Sequence, residues 1–171
     1  MTADLRPSPT GPEAYVDAAL FMGMNSADEA TRIACKSFFA ARLNERVVMS
    51  LEQVGRCDDL VWRFPREVQD AYYPFMDNLH TDMNIERRGY EPADLREDLG
   101  KSTGSLPAHE RLLLGMVVNR GGVLHSASPR LLSLTGVPVL APVDSAELSF
   151  PEPLERLYQA SLMLRVPVTR L

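Results

Sequence analysis

The stretch Ala14–Met24, AYVDAALFMGM, constrains this chain more than any other. It is a short apolar run that carries one aspartate, Asp17, and then continues apolar. Burying an unpaired carboxylate is costly enough to unfold a small domain. Asp17 is therefore expected at the open end of a strand, facing water, a cation or a positively charged partner. In parallel α/β sheets the carboxyl ends of the strands, near the point where the strand order reverses, are where ligands bind. Asp17 is accordingly the first residue of a candidate site.

The 171 residues suffice for one domain with a sizeable core. A formal net charge of −5 and a pI near 5.2 argue against a protein that coats nucleic acid non-specifically, which needs massed cations on phosphates. Lys36 and Lys101 are the only lysines, and the arginines that dominate the basic set suit bidentate phosphate contacts. Cys35 and Cys57 are too few for a disulfide scaffold and have no zinc spacing, so they read as reduced core thiols. Residues 1–13, MTADLRPSPTGPE, lack the apolar segment of a signal peptide and read as a flexible lead-in. No run of about 18 apolar residues predicts a membrane span, and a cytoplasmic location is expected.

Along the chain, a strand over Ala14–Asp17 is followed by a helix introduced by Ser26-Ala-Asp-Glu29, with Ala30, Ile33, Ala34, Phe38 and Ala41 at helical spacing. Val47-Val48-Met49 reads as a strand buried on both faces, and strand, helix, strand makes a βαβ unit. Glu52 then falls in the first turn of a helix over Leu51–Arg63, at the same sheet edge as Asp17. Asp59 lies about two turns further on, ~10 Å away, and is expected to be solvated. A helix follows over Arg66–Leu79, with Pro74 expected to kink or divide it. Asp77, His80 and Asp82 read as a solvated helix end. Residues 84–105 form a polar excursion or lid with one short helix, Ala93–Leu99. Gly100-Lys-Ser-Thr103 ends like a phosphate-binding loop, but Leu95 stands where that motif needs a glycine. A helix from Pro107 to the Gly121-Gly122 pair carries Glu110 in its first turns. Val123-Leu124-His125 is a strand, Ser128–Leu134 a short helix, and Val137–Leu140 an edge strand. Residues 143–171 give a linker and an amphipathic helix that packs on the domain or on a partner.

This pattern, over about Tyr15–Leu140, resembles the PIN-domain family of metal-dependent ribonucleases, which includes many bacterial toxins. Tyr15-Val-Asp17 is similar to the family's opening strand, and Glu52, 35 residues later, stands where the family carries a glutamate. Glu110 begins ERLLLGMVVNRGGVLHSAS, similar to the segment in which an acid starts a helix and a Thr-x-Asp follows 16 to 18 residues later. Here those positions are Ser126 and Ser128. Ser128 thus replaces a fourth acid, Ala19 stands where the family often has asparagine, and Glu110 is longer than the usual aspartate. The resemblance implies a three-layer α/β fold over residues 14–142, with a small, mainly parallel sheet of four or five strands. It further implies a homodimer, for which Met22, Met24 and the last helix are expected contacts, and an antitoxin-like protein partner.

Phosphodiester hydrolysis needs an activated water and a place for the charge that develops on phosphate and leaving oxygen. Mg²⁺ or Mn²⁺ supplies both through oxygen ligands. Asp17, Glu52 and Glu110 are the expected metal ligands and catalytic residues, with Ser126 and Ser128 supporting as hydroxyl ligands or phosphate donors. Without the fourth carboxylate one ion at most is expected, and Asp144 is a distant substitute. Two alternatives stand beside RNA cleavage: a degenerate, non-cleaving binding or assembly subunit, and an enzyme redirected to a small phosphorylated or nucleotide-like substrate. His125-Ser126 does not read as a base and nucleophile, because neighbours in a strand point to opposite faces and no GxSxG elbow is present.

Overall fold

Strand residues with alternating inward side chains organise the protein into three layers. The structure, a computed structural model, describes residues 11–95, 98–100 and 103–171. Most of the expected lead-in lies outside the described residues, as do Arg96 and Glu97 of the expected short helix and Lys101 and Ser102 of the loop-like motif. The strands β1 (Ala14–Val16), β2 (Arg46–Ser50), β3 (Asn84–Arg88), β4 (Val123–His125) and β5 (Val139–Leu140) form one all-parallel sheet in the order β3-β2-β1-β4-β5. Val16, Val47, Met49 and Ile85 enter one hydrophobic core. Tyr15, Val48 and Leu124, which sit side by side in register, enter the other.

The first core is closed by α1 (Ala18–Gly23), α2 (Glu29–Ala41), α3 (Leu51–Trp62), α4 (Arg66–Asp82) and α7 (Leu154–Ser161). The second is closed by α5 (Ala108–Asn119) and by Leu131 of α6 (Pro129–Leu132). The turn from α5 into β4 uses both glycines. Gly121 adopts a left-handed φ of 63°, and a Cβ on Gly122 would stand 2.5 Å from the Tyr15 ring. Glycine there lets β4 lie against β1, which matters because Asp17 and Ser126 leave the ends of those two strands.

The structure departs from the sequence reading in several places. The apolar stretch after Asp17, to which the sequence reading assigned no element, is a buried helix, α1. Met22 and Met24, expected at a subunit contact, are fully buried inside the protein. Residues 84–88, read as part of a polar excursion, form the edge strand β3, whose charged side chains pair with Arg46 and Glu13 and suit an exposed sheet edge. The helix after Ser26 begins at Glu29, capped by the side chain of Asp28, while Ser26 Oγ accepts from Asp28 N. Helix α4 runs undivided to Asp82, with Pro74 on its exposed side. The last helix packs along α4, where Phe75, Phe150 and Tyr158 meet with ring centroids 5.2–5.7 Å apart. Both cysteines are free and buried. No helix among the described residues is long and apolar enough to cross a membrane.

Candidate functional site

The strand order reverses direction between β1 and β4, and the residues that leave the carboxyl ends of these strands meet. Asp17 follows β1 and caps α1: its Oδ1 accepts from Leu20 N at 2.8 Å. Its Oδ2 accepts from Ser126 Oγ, at the end of β4, at 2.5 Å. Ser126 Oγ in turn accepts from Ser128 N at 3.0 Å. Burial pushes the Asp17 carboxyl up to about 6, against the pull of the Ser126 and Leu20 hydrogen bonds, and the Glu110 charge adds to the rise.

Glu110 comes to the same place from the first turn of α5, a helix whose leading Pro107 offers no side-chain cap. It is 4 % exposed. Oε1 accepts from Ser128 Oγ at 2.7 Å and Arg130 Nη2 at 2.8 Å, and Oε2 accepts from Arg130 Nε at 3.1 Å. The two serines are fully buried and give their hydroxyl protons to the two acids. Their support is therefore to hold the carboxylates in position; neither hydroxyl turns outward.

Between the acids lies a hollow of about 10 Å³, room for one water, lined by Asp17, Gln53, Arg56, His109, Glu110 and Arg170 among others. Gln53 is 2 % exposed. Its Oε1 accepts from Ala18 N at 2.9 Å, while Nε2 is buried without a partner. A buried donor left empty costs roughly 1–3 kcal/mol. Turning the amide over would not relieve it, since its NH₂ would then face the Ala18 N–H. His109 Nδ1 is likewise buried and unpartnered, and burial followed by the Arg56 charge lowers the imidazole pKa. Neither Arg56 nor Arg170 has an ion-pair partner among the described residues.

Glu52 stands beside this hollow rather than in its lining. It sits in the first turn of α3, where its charge reaches both His109 and Tyr90. The Tyr90 hydroxyl lies buried against Ser50 and Glu52 without completing a hydrogen bond to either, and burial raises its pKa. The physical reason for Glu52's displacement is its neighbour: Gln53, about 100° further round the helix, occupies the inward position. Of the three expected acids the structure thus brings together two. Among the described residues no three His, Cys, Asp or Glu side chains are grouped to hold a metal ion.

The remaining candidates lie elsewhere. Asp144 lines a separate groove with Thr31 and Leu132. Asp59 is exposed and paired with Arg63 at 2.8 Å. Asp77 and Asp82 are exposed, while the His80 ring faces Phe21 with both nitrogens buried and unpartnered. His125 packs on Phe38, away from Ser126. Sequence reasoning missed Gln53, Arg56, His109, Arg130 and Arg170. The sequence signal for Gln53 is Ser50-Leu-Glu-Gln53, a capping-box spacing that fixes the first turn of α3, with Ser50 Oγ accepting from Gln53 N at 3.2 Å.

The oxygens of Asp17 and Glu110 are the ones that a hard cation would have to use, and the Arg130 guanidinium already holds Glu110 by two hydrogen bonds. Comparison with curated proteins and with solved structures finds no match. Residues 5–171 match the family of unknown function DUF6190, and the chain belongs to that family.

Proposed function

We propose that the protein is a PIN-like, divalent-metal-dependent nuclease that hydrolyses RNA phosphodiesters with Asp17 and Glu110 at its centre. The observation that carries this reading is the convergence of two buried carboxylates on one hollow at the reversal point of a parallel sheet, beside Arg56 and Arg170, which have no carboxylate partner among the described residues. A three-layer α/β fold with a small parallel sheet also accords with the PIN resemblance.

Mg²⁺ or Mn²⁺ on the two carboxylates would lower the pKa of a bound water and polarise a phosphoryl oxygen. The protein's own part is separable from that. Asp17 is held by Leu20 N and Ser126 Oγ at the end of β1, where it would present its carboxylate to the ion. Ser126 and Ser128 keep both carboxylates fixed, and the cationic side chains oppose the charge that grows on phosphate. Glu52, outside the hollow, is left the role of shaping the field around His109 and Tyr90.

The test is cleavage of single-stranded RNA by the full chain with Mg²⁺ or Mn²⁺. Asp17→Asn should lower the rate roughly a hundredfold or more; cleavage at full rate in that variant would remove Asp17 from the mechanism. A second reading, a non-cleaving binding subunit, is favoured by the Arg130–Glu110 pair, which places a cation on the acid already, and by the exclusion of Glu52. It expects no cleavage with either metal and a thermal midpoint that neither metal moves. A third reading, the same site redirected to a small phosphorylated or nucleotide-like substrate, is the one that the net charge of −5 favours.

A further inference from the structure

The hollow has two chemically different sides. On one side the oxygens of Asp17 and Glu110 are taken up by Ser126, Leu20, Ser128 and Arg130. On the other side, among apolar residues and the Leu171 terminus, stand an unpartnered amide donor and two guanidinium groups. Gln53 lines the hollow, and with its oxygen engaged by Ala18 N its buried Nε2 is left with no partner among the described residues. Arg56 and Arg170 line the same hollow without ion pairs among the described residues. Donors and guanidinium groups repel a metal ion. A group with several anionic oxygens satisfies them all.

We infer that Gln53, Arg56 and Arg170 form a seat for a phosphate group. The hollow admits a single oxygen atom, so one non-bridging oxygen enters to accept from Gln53 Nε2. The rest of the group stays at the mouth, where Arg170 is exposed and Arg56 half-buried, and pairs with the two guanidinium groups. The seat rests on the proposed site as its substrate-binding half, and it operates without metal. Gln53 and Arg56 come from the first two turns of α3, whose start is fixed by the Ser50 cap, so the backbone that carries both is set before any ligand arrives.

Binding of inorganic phosphate, a nucleoside 5′-monophosphate and a single-stranded RNA oligonucleotide to the metal-free full chain tests this by calorimetry. Gln53→Glu keeps the acceptor for Ala18 N and replaces the empty donor with an anionic oxygen. Arg56→Ala removes a cation without touching the core. Each should weaken all phosphate ligands at least tenfold, while Arg63→Ala, whose side chain is exposed at the far end of α3 and paired with Asp59, should leave binding unchanged. Circular dichroism confirms that each variant is folded. Equal affinity in wild type, Gln53→Glu and Arg56→Ala, or no phosphate binding by wild type, overturns the seat. RNA binding well above the monophosphate identifies a strand as the source, and equal affinities identify a small phosphorylated molecule. Selective loss of binding without any cleavage would keep the seat and defeat the nuclease; cleavage with unaltered binding would do the reverse.

Discussion

Two buried charged clusters, one along α2 and one at the carboxyl edge of the sheet, treat their ionisable groups in opposite ways. Where α2 meets α7 and the segment before it, Lys36 and Arg32 are 1 % and 4 % exposed, yet every charge is answered. Lys36 Nζ donates to Glu147 at 3.1 Å and Glu155 at 2.7 Å and stands 4.6 Å over the Tyr158 ring. Arg32 donates to Glu147 at 2.6 Å, to the Tyr158 hydroxyl at 2.8 Å and to Glu29. The result is that Glu147 is pulled down to about 2, first by Arg32 and also by Lys36. At the sheet edge, Asp17 is pushed up to about 6 by burial, and a glutamine donor has nothing to bond. One cluster is complete as folded. The other is incomplete, and incompleteness in a buried polar group is what a ligand corrects.

The most damaging challenge to this contrast spoils the complete cluster. Lys36→Ala leaves Glu155, with a side chain only 16 % exposed, without its cation and opens space beside Tyr158. Removing one partner of a buried pair costs roughly 3–5 kcal/mol. Because Glu147 keeps Arg32 and is partly solvated, the lower end of that range is expected. Urea denaturation measures it. A loss no larger than that of an exposed pair would mean the cluster contributes little and the contrast fails.

The next effect has the opposite sign and depends on pH. The folded protein binds a proton on Asp17 more tightly than the unfolded chain does, since the carboxyl rises from 3.8 to about 6. Ionisation is therefore penalised in the fold. Stability should fall as pH rises through the window from about 4 to about 6 and stay reduced above it, by ~3 kcal/mol at most. Asp17→Asn keeps an oxygen to accept from Leu20 N and removes the charge. It should flatten that dependence and raise stability above the window while activity falls, the trade expected where a site is built at the expense of stability. Thermal unfolding of both proteins across the window measures it; parallel curves would place the pH dependence in other groups.

Most elements were legible because their signals are local. The apolar run 47–49, the Gly121-Gly122 stop and the helical spacing through α3 and α5 each fix an element without reference to distant residues. What was hidden depends on distant partners. The strand β3 carries a single buried side chain, Ile85, among charges that make sense only once Arg46 and Glu13 lie beside them. The buried second face of α2 contains Arg32 and Lys36, which no periodicity assigns to a core, because the glutamates that admit them come 111 to 119 residues later. At the site, the strand-end and helix-start positions of Asp17 and Glu110 were readable. The choice between Glu52 and Gln53 was not, since adjacent residues in a first helical turn differ only in rotation about the axis. That Gln53 Nε2 lacks a partner is a property of the assembled neighbourhood, visible only there.

The mildest substitution decides how the two sides of the hollow are related. Arg130 is 44 % exposed, so its pairing with Glu110 is largely screened, and Arg130→Ala should cost ~1 kcal/mol or less in stability. Its value lies in the response to added metal. With the guanidinium gone, Glu110 retains the Ser128 hydroxyl, and no arginine is hydrogen-bonded to either carboxylate, while Arg56 and Arg170 stay on the other side of the hollow. Mg²⁺ or Mn²⁺ should raise the thermal midpoint of Arg130→Ala by more than that of wild type, because the ion no longer competes with an arginine. Phosphate binding on the Gln53 and Arg56 side should be retained in the same variant. A midpoint that neither metal shifts, in a variant that still binds phosphate, would mean the acids serve only to cap α1 and to anchor α6. The hollow would then be an anion site, and the nuclease reading would give way to the non-cleaving one.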